Sequence, residues 1–305
     1  MNGIICIDKP AGFTSFDVIA KLRGILKMRR LGHAGTLDPM ATGVLPVFAG
    51  CATKACGILP DESKIYMAEF QLGQVSNTQD STGNILETHD FSHILTREQI
   101  QAVCPQGDIM QIPPMYSAVS VNGKRLYELA REGKEIERQA RPVRILDCRC
   151  DVYHPESGKG IIRVCCGKGT YVRTLIHDMG QVLGCGAVMA GLRRIQASGF
   201  GLADCHTLEE IQNLADQNRI SEILIPVEKA FSVLPEIRLN PEQTNYYRHG
   251  VKLGLSQLKH QIAEKQNRYA IYGTPDGFLG TALLDRTENC LRIERNLCEP
   301  RGAES

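Results

Sequence analysis

Leu31-Gly32-His33-Ala34-Gly35-Thr36-Leu37-Asp38-Pro39-Met40-Ala41-Thr42-Gly43-Val44-Leu45-Pro46-Val47 is the stretch on which the reading of this chain turns. Three glycines and two prolines interrupt a run that is otherwise apolar or small. Glycine permits positive φ or close approach by another group, and proline fixes φ and removes a donor. The stretch therefore predicts a shaped loop, not a helix or a plain strand. His33 and Asp38 are its only ionisable side chains. Asp38 precedes a proline, which biases its own backbone toward extended conformations. An Asp-Pro dipeptide alone reads as a turn or a helix start. A single carboxylate on a rigid loop can equally serve as nucleophile, base or metal ligand.

Outward toward the N-terminus, residues 3–7 read as a short buried strand and Asp8-Lys9-Pro10-Ala11-Gly12 as a turn. Thr14 and Asp17 have capping-box spacing, and Val18, Ile19, Leu22 and Ile25 follow at helical spacing. This helix runs into Lys27-Met28-Arg29-Arg30, a charge that suits a helix C-terminus or a phosphate. Toward the C-terminus, residues 52–59 look like a short helix. Tyr66, Ala68, Phe70 and Leu72 alternate as one face of a strand, and on that pattern Tyr66 is a core residue. Ser76-x-Thr78-x-Asp80-x-x-Gly83 is a loop to which no chemistry is assigned. Pro113-Pro114 argues for an edge or wall. Residues 123–141 are polar, basic and helix-prone. Residues 143–152 alternate, with Leu146, Cys148, Cys150 and Val152 expected on one face. Residues 160–166 form another strand, and Gly167-Lys168-Gly169-Thr170-Tyr171-Val172-Arg173 is a glycine-rich turn feeding a helix. It lacks the P-loop spacing, although amides at such a helix start can face an anion. Residues 187–194 read as a strand, Thr207 and Glu210 as a helix cap, and short strands follow from about residue 238.

Length and composition bound the function. The 305 residues suffice for one large domain and a small one. Net charge is only +1, but it is unevenly spread: residues 1–50, 116–144 and 161–195 carry +3, +3 and +4, leaving −9 elsewhere. That pattern fits either a polyanion footprint or an uneven solvated surface. None of the twelve cysteines is spaced Cys-x-x-Cys and no histidine cluster accompanies them, which leaves zinc modules unsupported. No signal peptide or membrane-length apolar run is visible, so a reduced cytoplasmic protein without membrane association is expected.

The long stretch resembles the Gly-His-x-Gly-x-Leu-Asp-Pro-x-Ala-Thr-Gly signature of the TruB family of tRNA pseudouridine synthases. Asp8-Lys9-Pro10-x-Gly12, Lys64-x-Tyr66-x-Ala68, the segment 111–118 and Gly169-Thr170-Tyr171-Val172-Arg173 are similar to further motifs of that family, in the same order, over residues 3–235. The resemblance implies an α+β pseudouridine synthase fold. This is a central, mostly antiparallel mixed sheet with surrounding helices. Residues 1–235 would form the catalytic domain, with an RNA-clasping insertion at about 116–144, and 236–305 a small β-rich, PUA-like RNA-binding domain. It implies Asp38 as nucleophile, Arg173 as its ion-pair partner and Tyr66 stacked on the base with a share in proton transfer. His33, Tyr171, Leu192 and Lys9 would lie at the substrate, and Lys124, Arg125, Arg131 and Lys134 on RNA phosphates. The implied reaction isomerises the T-arm uridine conventionally numbered 55 in tRNA. It breaks the C1′–N1 bond and forms C1′–C5 on a flipped nucleotide, with no redox change and so no cofactor or metal. The insertion resembles that of the stand-alone bacterial type, which uses neither guide RNA nor an obligate protein partner. Two other classes stay open on the residues alone. One is an RNA-binding or tRNA-folding protein without chemistry. The other is a nucleoside hydrolase or glycosidase, which would want a second acid near Asp38.

Overall fold

The apolar runs flanking the glycine-rich stretch become paired strands. β1 (Gly3–Lys9), β2 (Leu31–His33) and β3 (Thr42–Ala49) lie together, with β3 antiparallel to both others and Lys9 opposite Gly43. This computed structural model describes residues 1–305 except 122, 259–261, 263–265 and 299–305. The tail of the expected C-terminal domain therefore lies outside the described residues.

β3 is continued by β4 (Lys64–Leu72), β5 (Gly107–Gln111), β6 (Arg141–His154), β7 (Lys159–Cys166) and β8 (Ala187–Ala197). The spatial order is β1-β3-β8-β4-β7-β6-β5 within a ten-stranded sheet. Two pairings in that sheet are parallel, β3 with β8 and β1 with Cys205–His206, and the rest are antiparallel. The mixed α+β sheet expected from the sequence is thus present. Helix α1 (Ser15–Ile25) starts at the Thr14–Asp17 capping box and buries Val18, Ile19, Leu22 and Ile25 against Ile5, Ile7, Leu45 and Val47. Short helices α2 (Arg97–Ala102) and α3 (Leu126–Arg131) follow, and α4 (Val172–Val182) packs Leu175, Ile176 and Met179 on the face made by Tyr66, Ala68, Phe70 and Leu72. Helix α5 (Leu208–Asp216) adds Ile211 to the α1 side.

A second, five-stranded sheet is built from β9 (Glu236–Arg238), β10 (Leu253–Gly254), β11 (Arg268–Gly273), β12 (Gly277–Asp285) and β13 (Cys290–Asn296). With α6 (Pro241–Arg248) it closes its own core around Ile237, Tyr247, Ile271, Leu279 and Leu291. It also leans on the larger unit: the Phe231 and Phe278 rings stack at 5.7 Å, and Leu297 is buried with Ile4 and Phe48.

Three sequence expectations need correction. Residues 52–59 form no α-helix; a 3₁₀ segment, Gly50–Ala55, takes their place. Within 123–141 only α3 is helical. Residues 120–121 and 124–125 make a small hairpin, and Gly133 turns the chain out at φ +72°. Beyond it Ile136 is the one large apolar side chain before residue 141, too little to hold a further helical turn against the small core of Met115, Leu126 and Leu129. Leu146 and Val152 do not share the buried face of Cys148 and Cys150. Register irregularities at Ile145/Asp147 and Cys150/Val152 each shift the alternation, leaving both residues exposed while Ile145 is buried.

Candidate active site

Asp38 sits at the tip of the loop between β2 and β3, and that loop is held from three sides. From below, Ser15 at the start of α1 is buried; its hydroxyl accepts from Leu37 N at 2.9 Å and donates to Leu37 O at 3.3 Å. From the β1 side, Gly12 N donates to Pro39 O at 2.9 Å, and the ammonium of Lys9 donates to Pro39 O, Pro10 O and Phe13 O at 3.3, 2.9 and 2.5 Å. From β8, Arg194 donates to Gly35 O and Val44 O at 3.0 and 2.8 Å. Gly43 makes this last contact possible: at φ +101°, a Cβ there would lie 2.1 Å from the carbonyl oxygen of Arg194.

The carboxylate of Asp38 meets Arg173, whose Nε lies 2.9 Å from Oδ2. Arg173 stands in the first turn of α4, where the helix dipole is positive and a cation is ill placed. It is also only 5% exposed, and a buried charge needs partners. Those partners converge on it: Asp38, the carboxylate of Asp80 at 3.5 Å, and the carbonyls of Thr78 and Tyr116 at 3.3 and 3.0 Å. The two acids differ in what remains of them. Asp80 is buried, and its Oδ1 accepts from Thr78 Oγ1, Thr82 Oγ1 and Thr82 N at 2.7, 2.6 and 3.0 Å. The side chain of Asp38 keeps 37% exposure and so faces solvent. Burial on its protein side raises the Asp38 pKa above the usual carboxylate value, against the pull of Arg173; the Asp80 charge adds to the rise.

Tyr66 is buried on β4, and burial raises its phenol pKa while the Arg194 charge draws it back. His33 is half-buried; burial and Arg194 lower its pKa, which favours the neutral imidazole, and its Nδ1 has no hydrogen-bond partner. Tyr171 caps α4, its backbone clamped by the buried Gln111 through bonds of 2.8 and 3.1 Å. Leu192 packs on the core cluster that contains Tyr66.

Lys9 departs from the expected substrate contact. It is fully buried, with all three ammonium hydrogens accounted for by carbonyls, so it braces the Asp38 loop from behind. Burial pulls its pKa down to about 8, against the opposing charge of Asp38. Lys124, Arg125, Arg131 and Lys134 are all exposed on the insertion; Lys134 pairs with Glu132 at 2.7 Å, and Arg131 lies over the Tyr127 ring at 5.4 Å. Among the described residues no group of three or more His, Cys, Asp or Glu is placed to hold a metal ion.

Sequence reasoning missed Ser15, Asp80, Gln111 and Arg194. Asp80 matters most for the choice between chemistries. A second acid does stand near Asp38, but it is buried and occupied by three donors, so it orients Arg173 and does not face a substrate.

A family model described as the N-terminal domain of TruB family pseudouridylate synthase matches residues 23–172. A second, described as the tRNA pseudouridylate synthase B C-terminal domain, matches residues 173–232. Proteins named tRNA pseudouridine synthase B from Pediococcus pentosaceus and Clostridium kluyveri are each 40% identical to this chain, over 274 and 285 residues. These matches span 88% and 93% of this chain and 92% and 96% of theirs. The Clostridium perfringens protein of that name is 40% identical over 303 residues, 98% of this chain and all of its own. Among solved structures, a chain of a Cbf5-Nop10-Gar1 complex superposes with a TM-score of 0.76 at 25% identity, covering 97% of this chain and 85% of that one. A chain of an H/ACA RNP bound to a substrate RNA containing 2′-deoxyuridine has a TM-score of 0.74 at 23% identity, covering 98% and 86%, a likeness of fold.

Proposed function

The chain belongs to the TruB family of pseudouridine synthases, and we propose that Asp38 is the nucleophile with which it acts on the T-arm uridine of tRNA. Its reaction is the isomerisation of uridine to pseudouridine in tRNA. The observation that carries the proposal is the Asp38–Arg173 pair, a solvent-facing carboxylate fixed at 2.9 Å from a buried guanidinium. Arg173 offsets part of the burial that favours the protonated carboxyl, and it aims the carboxylate. The C1′–N1 bond breaks, the uracil turns in its pocket, and C1′–C5 forms. N1 gains a proton and C5 loses one, so atoms and charge balance without an oxidant or a second substrate. Tyr66 packs against the base and carries a proton; Leu192 and Tyr171 border it. His33, neutral and with an unmet ring nitrogen, holds the flipped nucleotide.

The target is the uridine at position 55 of the T-arm, and the enzyme acts alone, without guide RNA or obligate protein partner. Lys124, Arg125, Arg131 and Lys134 hold the RNA backbone from the insertion, and the second sheet is a further, PUA-like RNA contact. Residues 1–235 are the catalytic domain and 236–305 the RNA-binding one. We place the protein in the cytoplasm: its twelve cysteines are free thiols, as a reducing compartment keeps them.

The test is tritium release from tRNA transcript labelled at uridine C5, with Asp38→Asn beside the wild type. Release by wild type alone, with the T-arm uridine as the product site, supports the proposal. Release by Asp38→Asn at a comparable rate removes Asp38 from its role. Free uracil in the products would point to hydrolysis instead, and tight tRNA binding without release from either protein would leave a binding protein.

A further inference from the structure

Arg194 has the largest side chain among the fully buried described residues, and no carboxylate is its hydrogen-bond or ion-pair partner among them. Two of its nitrogens are engaged by backbone carbonyls at the two shoulders of the Asp38 loop, Nε by Val44 O and Nη2 by Gly35 O. The third, Nη1, is buried with no acceptor at full hydrogen-bond geometry. A buried cation left with an unused donor is costly, and such a group persists where something else uses it.

The register shows what stands next to it. On β8, Arg194 is the direct cross-strand partner of Tyr66 on β4, so the two side chains rise from the same face of the sheet. Burial raises the phenol pKa and the Arg194 charge draws it back, so the guanidinium acts on the phenol across the strand pair. The charges of Cys166 on β7 and Asp38 on the loop also act on the phenol, while Lys64, two residues along β4, comes near the guanidinium: a Cβ on Gly35 would lie 3.1 Å from Lys64 Cε and 3.2 Å from Arg194 Nη1.

Resting on the reading that Tyr66 handles a proton, we propose that Arg194 is a positioning residue for Tyr66, its Nη1–H held for the Tyr66 hydroxyl oxygen. With that oxygen accepting from Arg194, the phenol's own hydrogen turns outward to the base. Tyr66 then gives this proton to N1 of the detached uracil and takes the C5 proton back. Between the two transfers the phenolate lies beside the guanidinium. The same side chain clamps the Asp38 loop, so one residue sets the distance between nucleophile and proton carrier.

The experiment is single-turnover tritium release at saturating tRNA for Arg194→Lys, Tyr66→Phe and the double variant, with tRNA affinity measured alongside. Lysine keeps the charge and loses the fork. The expected result is a rate reduced by about tenfold or more in Arg194→Lys, tRNA affinity within about twofold, and a clearly smaller loss in the Tyr66→Phe background, where only the clamp on the Asp38 loop is left to lose. An equal loss in both backgrounds, or a loss confined to affinity, would overturn the inference. If a variant fails to fold, or Tyr66→Phe leaves no measurable rate, a crystal structure of the unaltered full chain decides: Nη1 donating to Tyr66 Oη supports the inference, and Nη1 donating to water or another acceptor overturns it. Absence of release from wild type would count against the proposed reaction, while the crystal structure would still decide the Arg194 contact.

Discussion

As the proposed nucleophile Asp38 must be ionised to attack, yet its surroundings favour the proton. Burial raises its pKa and Arg173 only partly reverses this. Activity therefore falls as pH drops through a value above the ordinary aspartate range, and the acid limb of kcat/KM reports that value. Arg173→Gln removes the opposing cation, so the limb should move to higher pH, and kcat should fall by about 100-fold. A limb that stays in place would show that the pair does not set the ionisation. Ser15 offers a second check. Its buried hydroxyl both accepts from and donates to Leu37, the residue before Asp38. Ser15→Ala should cost about 1–2 kcal/mol of stability by denaturant titration and lower kcat more than it raises KM. Asp38 stands out in the sequence as a charge inside an apolar, glycine-rich loop, whereas Arg173 is reached through the motif resemblance. Ser15 and Arg194 do not stand out, and neither does the pairing of Asp80 with Arg173, because those partners lie far away in the chain and no local spacing encodes a contact between separate elements.

Strands and helices were legible to different degrees. The capping boxes at Thr14 and Thr207 start helices where the sequence puts them, since a cap and its partner lie three residues apart. The alternation of β6 misled, because a single extra residue at a bulge reverses which side chains face inward, and nothing in 145–152 marks it. The parallel contact between β3 and β8 was equally hidden, and it bears on the site. Gly43 lies opposite Arg194 there, with no space for a Cβ. Gly43→Ala should therefore destabilise by more than about 2 kcal/mol and lower kcat, through strain at positive φ and displacement of the Arg194 strand. Unchanged thermal unfolding and turnover in that variant would mean the two strands part more easily than their packing implies.

Across the whole molecule, charge is concentrated where RNA is proposed to lie, although the total is near neutral. Lys124, Arg125 and Arg131 project from the insertion, whose own small core keeps it an outgrowth of the sheet. Replacing these three by alanine should weaken tRNA binding and reduce the slope of log affinity against log salt by about 0.7–0.9 for each phosphate no longer neutralised. The single-turnover rate at saturating tRNA should hold; an unchanged slope would mean that other side chains neutralise the RNA backbone. The base of the same outgrowth carries the Tyr116 carbonyl that caps Arg173. The long-range origin of the Asp38–Arg173 pair also governs how the enzyme is born. On the ribosome two of the three supports of the Asp38 loop, β1 and α1, emerge early, and the third, Arg194, only with β8. The cation that completes the carboxylate waits for α4, and the strand that seals β3 comes later still. A nascent chain can therefore begin to shape the Asp38 loop well before the proposed site is complete, and competence arrives only when the sheet is closed.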